Sequence, residues 1–265
     1  MQKGIKFRIY PNREQQNLIN QTLGCCRLIY NKGLAMRNEA YGNGNKIGYA
    51  QTSAMLTELK KCEDFAFLKV VDSIALQQSL RDLDRGFVNF FQKRAAHPTF
   101  KSKHNRHQSY RTINQGDNIR IVGRYLKLPK LGFVKIRQSM EVGKINNVTI
   151  EHTPTGKYFA VLNVEFEPQP RPNNGSCIGI DVGIKEFYSD SNGNVVANPK
   201  YLEKSMRKLV REQRKLSRKQ KGSNNRNKQR VKVALVHEKT ANQRNDFLQK
   251  RSTMLIRENQ TICIE

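Results

Sequence analysis

The sequence predicts a mixed α+β chain: a small β-barrel interrupted by helices, then a linker, then a second α/β domain. Three observations lead there. Residues 3–10 alternate apolar and polar side chains in steps of two, as a half-buried strand does. Residues 12–94 carry apolar side chains at helical spacing, and 118–166 return to short alternating segments broken by glycine and proline. The run Pro168-Gln169-Pro170-Arg171-Pro172-Asn173-Asn174-Gly175 then breaks the pattern before a new apolar strand opens at Cys177.

In the first strand Ile5, Phe7 and Ile9 face one way, and Lys6, Arg8 and Tyr10 the other. Pro11-Asn12 ends it, and Asn12 is placed to cap a helix that reaches about Tyr41, with Leu18, Cys25, Ile29 and Met36 near one face. Gly42-Asn43-Gly44-Asn45 reads as a turn before a second helix over 51–61. The third helix, 73–94, has the strongest pattern: Leu76, Leu80, Leu83, Phe87 and Phe90 recur at steps of four and three. These stripes read as core packing.

Residues 92–111 (QKRAAHPTFKSKHNRHQSYR) are of another kind, with Phe100 and Tyr110 set among Lys, Arg and His. Basic side chains match phosphates and aromatic rings stack on bases; a solvated basic loop is the bland alternative. Strands are then expected at 118–122, 125–128, 132–137, 146–152 and 157–166. Gly123, Pro129, Gly132 and Thr155-Gly156 supply turns, and strand 3–10 is free to pair among them.

In the second domain Ile178, Ile180 and Val182 make a strand that ends at Asp181-Val182-Gly183. A hairpin follows, with its turn at Asn192-Gly193-Asn194. Two helices, about 199–219 and 226–259, are joined at Lys221–Asn225. Ala234, Ala241, Leu248 and Leu255 recur every seven residues, which permits a helix–helix seam. Ile262 and Ile264 begin a last strand that reaches Glu265.

The 265 residues hold 48 Lys or Arg against 22 Asp or Glu, a net charge of +26. Self-repulsion at this charge opposes folding and calls for a polyanion partner. Release of phosphate counterions would drive that association. No apolar or amphipathic anchor accompanies the charge, so a membrane surface fits poorly. No apolar run is long enough to span a bilayer, and the N-terminus is not a secretory signal. The five cysteines form no C-x-x-C pair, which argues against a disulfide framework or a zinc ribbon and fits a reducing cytoplasm.

Asp181 and Glu265 are the candidate catalytic and metal-binding residues. Each ends an apolar strand, and such a carboxylate is costly unless paired or bound to a metal. From adjacent strands the two could share Mg²⁺, which prefers carboxylate oxygens. A strand-end Asp is also a common turn former. The segment 199–232 carries 14 Lys or Arg against Glu203 and Glu212, too few acids to neutralise it along the helix. Phosphate-backbone contact is therefore expected there. His97, His104 and His107 have no zinc-ligand frame, and His237 reads as a helix-interface residue.

Four blocks now carry a resemblance. They are Ile178-Gly179-Ile180-Asp181-Val182-Gly183-Ile184-Lys185; Arg214–Lys219 with Gly222–Asn225; His237-Glu238-Lys239 with Asn242-Gln243-Arg244 and Asp246-Phe247; and Glu258–Glu265. Upstream, Leu83-Asp84-Arg85, Phe90-Phe91 and Pro98–Lys103 add to it. Together they resemble the TnpB (OrfB) family of insertion-sequence, RNA-guided DNA endonucleases, over essentially the whole chain.

The resemblance implies a wedge-type β-barrel (1–11 and 116–168), an inserted helical recognition domain (12–115), a linker (169–176) and an RNase H-like RuvC domain (177–265). It implies guide RNA and double-stranded target DNA as partners and no membrane, in a bacterial or archaeal cytoplasm at the nucleoid. It also implies Mg²⁺ at Asp181 and Glu265. Nucleic-acid contacts are expected from Lys101, Lys103, Arg106, Tyr110 and Arg111. In the basic helices they are expected from Arg207, Arg211, Arg214, Lys215, Arg218, Lys219, Arg226, Lys228 and Arg244. The family's second RuvC motif continues past the position of Glu265 into further helices, a four-cysteine zinc ribbon and a third catalytic Asp. The expectation is therefore an incomplete nuclease domain, without ribbon or third carboxylate, inactive in cleavage. Whether this chain is itself an enzyme stays open. The alternatives are a nuclease-dead, RNA-guided DNA-binding repressor and an unguided basic nucleic-acid-binding protein.

Overall fold

In the computed structural model, which describes residues 1–105, 108–168 and 175–265, the chain divides into two compact units, Met1–Pro168 and Gln169–Glu265. Strand β1 (Gln2–Tyr10) buries Phe7 and Ile9 and turns Lys6 and Tyr10 outward. Asn12 then caps helix α1 (Arg13–Gly42). Its side chain accepts from the Gln15 amide at 2.8 Å, and the Gln15 side chain accepts from the Asn12 amide at 3.0 Å. This reciprocal pair satisfies two otherwise unpaired amides of the first turn. Helix α2 (Tyr49–Lys61) and a 3-10 stretch (Glu63–Lys69) lead to α3 (Ser73–Phe91), capped by Asp72.

Helix α3 buries Leu76, Leu80, Leu83 and Phe87, the stripe that the spacing predicts. It lies close to α1, where a Cβ on Gly33 would stand 2.9 Å from Leu80. The Ser79 hydroxyl donates to the Cys26 carbonyl at 2.7 Å across the same contact. The 3-10 stretch escaped the sequence reading, because its seven residues are too few to display a period.

The remaining strands of this unit are β2 (Gln108–Ile113), β3 (Arg120–Val122), β4 (Tyr125–Leu128), β5 (Gly132–Arg137), β6 (Ile145–His152) and β7 (Tyr158–Glu165). They form one antiparallel sheet in the order β2-β6-β7-β1-β5-β4-β3, so the N-terminal strand is central. Two expectations are corrected. The sheet is a curled half-barrel rather than a closed barrel, with β2 and β3 at its edges. The sheet also begins earlier than 116: β2 lies inside the segment assigned to the helical insertion, paired with β6 from Gln108 to Ile113. Helices and sheet share one core, in which Ile19, Leu23 and Leu76 meet Phe7, Val134, Val148, Ile150 and Leu162.

In the second unit β8 (Cys177–Asp181), β9 (Glu186–Asp190) and β10 (Val195–Ala197) run antiparallel. Helices α4 (Tyr201–Ser217) and α5 (Asn224–Glu258) follow, and β11 (Thr261–Ile264) returns parallel to β8. The sheet order is β10-β9-β8-β11. Ile178, Ile180 and Tyr188 form its core, with Leu255 and Ile262 packed against them. The seam of α5 differs from the sevens read in the sequence. Gln229, Val236 and Thr240 are buried, whereas Ala241 and Leu248 are exposed. Gln229 finds a partner across the seam, donating to Glu212, whereas the Thr240 hydroxyl turns back to the Val236 carbonyl of its own helix. The expected linker, 169–176, falls outside the described residues except for Gly175 and Ser176.

Candidate functional site: a carboxylate pair and basic surfaces

The parallel register of β8 and β11 pairs Ile178 with Ile262 and Ile180 with Ile264. Asp181 and Glu265 stand one residue further along each strand. The Glu265 amide donates to the Ile180 carbonyl at 2.9 Å, and the Val182 amide to the Glu265 carbonyl at 3.4 Å. Parallel partners point to the same face, so both carboxylates leave the sheet on the side opposite the buried Ile178 and Ile180. Both are exposed. At Gly183 a Cβ would meet the Glu186 carbonyl oxygen at 3.1 Å, so the glycine lets the chain fold back tightly beside Asp181. Among the described residues no three His, Cys, Asp or Glu side chains gather as a metal cluster. Two carboxylates nevertheless suit Mg²⁺, which commonly takes one or two protein carboxylates and fills the rest with water and phosphate oxygens.

Helices α4 and α5 form a hairpin whose exposed surface is basic. Arg207, Arg211, Arg214, Lys215, Arg218, Lys228 and Arg244 are exposed, and Lys219 is half-buried. Glu212 is buried between the helices. The Gln229 side chain donates to its carboxylate at 2.7 Å and to its backbone carbonyl at 3.1 Å. Lys215 and Arg211 approach the same carboxylate at 3.4 and 3.5 Å. The Gln229 hydrogen bond, with these cations, holds the Glu212 carboxyl below its ordinary value.

Arg226 differs from its neighbours. Its guanidinium donates to the Leu216 and Lys219 carbonyls at 2.9 and 2.8 Å, so it closes the C-terminus of α4. That role competes with the phosphate contact expected of it. His237 is exposed, not at the helix interface.

In the first unit the basic-aromatic segment divides. Lys101 is tied down: its ammonium sits 4.0 Å over the Tyr30 ring, and its backbone exchanges hydrogen bonds with the Asn31 side chain. Removal from water there lowers its pKa, and Asp82 opposes the change. Lys103 and Phe100 are exposed. Arg106 and His107 lie outside the described residues. His97 packs edge-on against Phe87 and Phe90.

Tyr110 corrects the expectation of base stacking. It is 6% exposed and belongs to the main core, because β2 alternates and Tyr110 falls on the inward side. Burial pushes its phenol pKa upward. Arg111, the next residue of this edge strand, forms an ion pair with Asp82 at 2.6 Å, which ties β2 to α3.

The outward residues of β1 also bring a cation against aromatic rings. The Arg8 guanidinium lies 5.5 Å from the Tyr10 ring centre and 5.1 Å from that of Phe159. The signal was present in the alternation of residues 3–10, where every outward position from Lys6 on is cationic or aromatic.

Comparison with known proteins agrees with the blocks quoted above. Residues 158–265 match the OrfB_IS605 family, described as "Probable transposase". Residues 1–46 match a family described as "Helix-turn-helix domain"; here they form β1 and the single continuous helix α1. A protein of Streptomyces pristinaespiralis named "Putative RNA-guided DNA endonuclease" is 40% identical over 100% of this chain and 67% of its own length. "Putative RNA-guided DNA endonuclease InsQ" of Escherichia coli (strain K12) is 36% identical over 99% of this chain and 65% of its own. The chain thus spans about two thirds of the length of these relatives. Among solved structures, a Cas12f1–sgRNA–target DNA complex is similar in fold at a TM-score of 0.56. It has 11% identity and covers 100% of this chain and 81% of that one. The sequence blocks and the relatives agree: the chain belongs to the TnpB (OrfB) family of insertion-sequence proteins.

Proposed function

We propose that this chain holds a guide RNA and its DNA target, and supplies two carboxylates of an RNA-guided DNA endonuclease. The observation that carries the proposal is the parallel register that sets Asp181 and Glu265 side by side. The order β10-β9-β8-β11, with only β11 parallel to β8, supports an RNase H-like (RuvC) reading of the second unit. Asp181 and Glu265 would hold Mg²⁺. When bound there, the ion supplies Lewis-acid activation of water and of a phosphate. The basic hairpin, with Arg207, Arg214, Arg218 and Lys228 exposed, neutralises backbone phosphates. Base pairing by the guide, rather than protein side chains, then reads the target sequence. The names and partners of the relatives support this reading.

A second reading is guided binding without hydrolysis, for which the exposed cations of the α4–α5 hairpin suffice. One experiment decides between them. The full chain is purified, its RNA sequenced, and a matched DNA target offered with Mg²⁺. A discrete RNA species and cutting lost in Asp181→Ala and Glu265→Ala support the nuclease. A discrete RNA with target binding but no cutting selects the second reading. Heterogeneous, sequence-random RNA overturns both.

A further inference from the structure

The carboxylate pair is part of a longer row of side chains across the second sheet. The register sets Val195 opposite Ser189, and Ser189 opposite Asp181. Glu265 stands on the other side of Asp181, its amide bonded to the Ile180 carbonyl. The row therefore runs Val195–Ser189–Asp181–Glu265 through β10, β9, β8 and β11. Residues directly opposite in a sheet share a face. Tyr188, the chain neighbour of Ser189, is buried with Ile178 and Ile180, so Ser189 leaves the sheet on the carboxylate side.

Asp181 thus has a carboxylate on one flank and a hydroxyl on the other, each one strand spacing away, roughly 5 Å. Strand β9 leads to a second serine, which serves as a comparison. The Ser191 hydroxyl accepts from the Gly179 amide at 3.1 Å, and the Ser191 amide donates to the Gly179 carbonyl at 2.9 Å. That serine closes the end of β9 against β8. Ser189 is half-buried, and among the described residues its hydroxyl has no hydrogen-bond partner.

Mg²⁺ held by one or two carboxylates keeps several of its waters. A metal–oxygen distance of about 2.1 Å and a hydrogen bond of about 2.8 Å put the partners of those waters roughly 4–5 Å from the ion. That reach is one strand spacing. A serine hydroxyl sits on a single carbon, closer to the sheet than the oxygens of Asp181 and Glu265, so it meets the ion's hydration shell rather than the ion. We propose that Ser189 is a positioning residue of this site. Its hydroxyl accepts a hydrogen bond from a water of the Mg²⁺ held at Asp181 and Glu265, and so fixes where the ion sits along the row. Outer partners of this kind orient the ligands inside them. The proposal rests on the reading that the two carboxylates hold Mg²⁺, and the register of β9 with β8 adds the third member.

Ser189→Thr and Ser189→Val have β-branched side chains of similar shape and strand preference, and differ in the hydroxyl. The full chain and each variant are titrated with Mg²⁺, followed by the backbone amide resonances of 181–182 and 264–265. Ser189→Thr should keep the Kd within about twofold, whereas Ser189→Val should weaken binding about tenfold. Ser191→Ala is the structural control. It should lower the melting temperature and leave the Kd within about twofold. Hexamminecobalt(III) is titrated next, because its fixed ammines offer N–H donors where Mg²⁺ offers water. Ser189→Val should weaken this complex as well.

Equal Mg²⁺ affinity in Ser189→Thr and Ser189→Val overturns the proposal. So does a hexamminecobalt(III) affinity that Ser189→Val leaves unchanged, which would make the hydroxyl a direct ligand of the metal. Thermal melts of each variant separate these results from unfolding. Asp181→Ala is carried through the same titration. If it leaves Mg²⁺ binding unchanged, the reading of the carboxylate pair fails and Ser189 falls with it. If Asp181→Ala weakens binding and Ser189→Val does not, only the role of Ser189 is overturned.

Discussion

Asp181 and Glu265 end neighbouring parallel strands at the same level, one residue beyond the paired Ile180 and Ile264. Each is exposed on the face turned away from the buried isoleucines of β8. Added Mg²⁺ should therefore shift the backbone amide resonances of 181–182 and 264–265, with a Kd on the order of millimolar for so few protein ligands. Asp181→Ala should weaken this by at least about tenfold. Shifts that persist in Asp181→Ala would place the ion elsewhere.

Arg226 and Arg218 lie close in sequence and should behave differently. Arg226 donates to two carbonyls at the end of α4, whereas Arg218 is exposed. Arg226→Ala removes the guanidinium from the Lys219 carbonyl and from the Leu216 carbonyl, which keeps the Lys219 amide at 3.2 Å, and should cost about 1–2 kcal/mol of stability in a thermal melt. Arg218→Ala should leave the melt within about 0.5 kcal/mol. It should instead reduce the slope of nucleic-acid affinity against salt by about one. Reversed outcomes would exchange the two roles.

The Glu212 carboxyl makes the α4–α5 hairpin sensitive to acid. Its pKa is held below the ordinary 4.5, first by the Gln229 hydrogen bond and then by Lys215 and Arg211. A carboxyl lowered on folding contributes stability that is fully present above its unfolded value. That contribution is lost as pH falls through the folded one. Hydrogen exchange of the hairpin amides should therefore quicken as pH drops below the ordinary glutamate range, after correction for intrinsic rates. In Glu212→Gln this added acid sensitivity should disappear. A profile unchanged by the substitution would mean that another group governs the hairpin.

Much of the architecture was legible locally. Asn12 and Gln15 announce the start of α1, because a capping box needs only four residues. The α3 stripe and the strands β4 to β7 follow from period alone. The segment around Tyr110 was misread because its basic composition drew attention from its alternation. Ser109 and Arg111 flank Tyr110, and Thr112 repeats its inward position two residues on. The α5 seam was misread for the opposite reason: apolar residues at sevens suggested a contact that Gln229 makes instead.

The sequence by itself determined the charge, the helix caps, the strand alternation and the family to which the chain belongs. These are properties of residue type and of spacing within a few positions. Only the tertiary structure decided which residues meet. The pairing of β11 with β8 set Glu265 beside Asp181, and packing of the helices against one face of the sheet buried Tyr110 while leaving Tyr10 and Tyr125 exposed. It also directed the Arg226 guanidinium to helix-end carbonyls rather than to the surface. The physical reason is that strand pairing and helix packing join residues far apart in the chain, and no local period encodes which distant segment will be the neighbour.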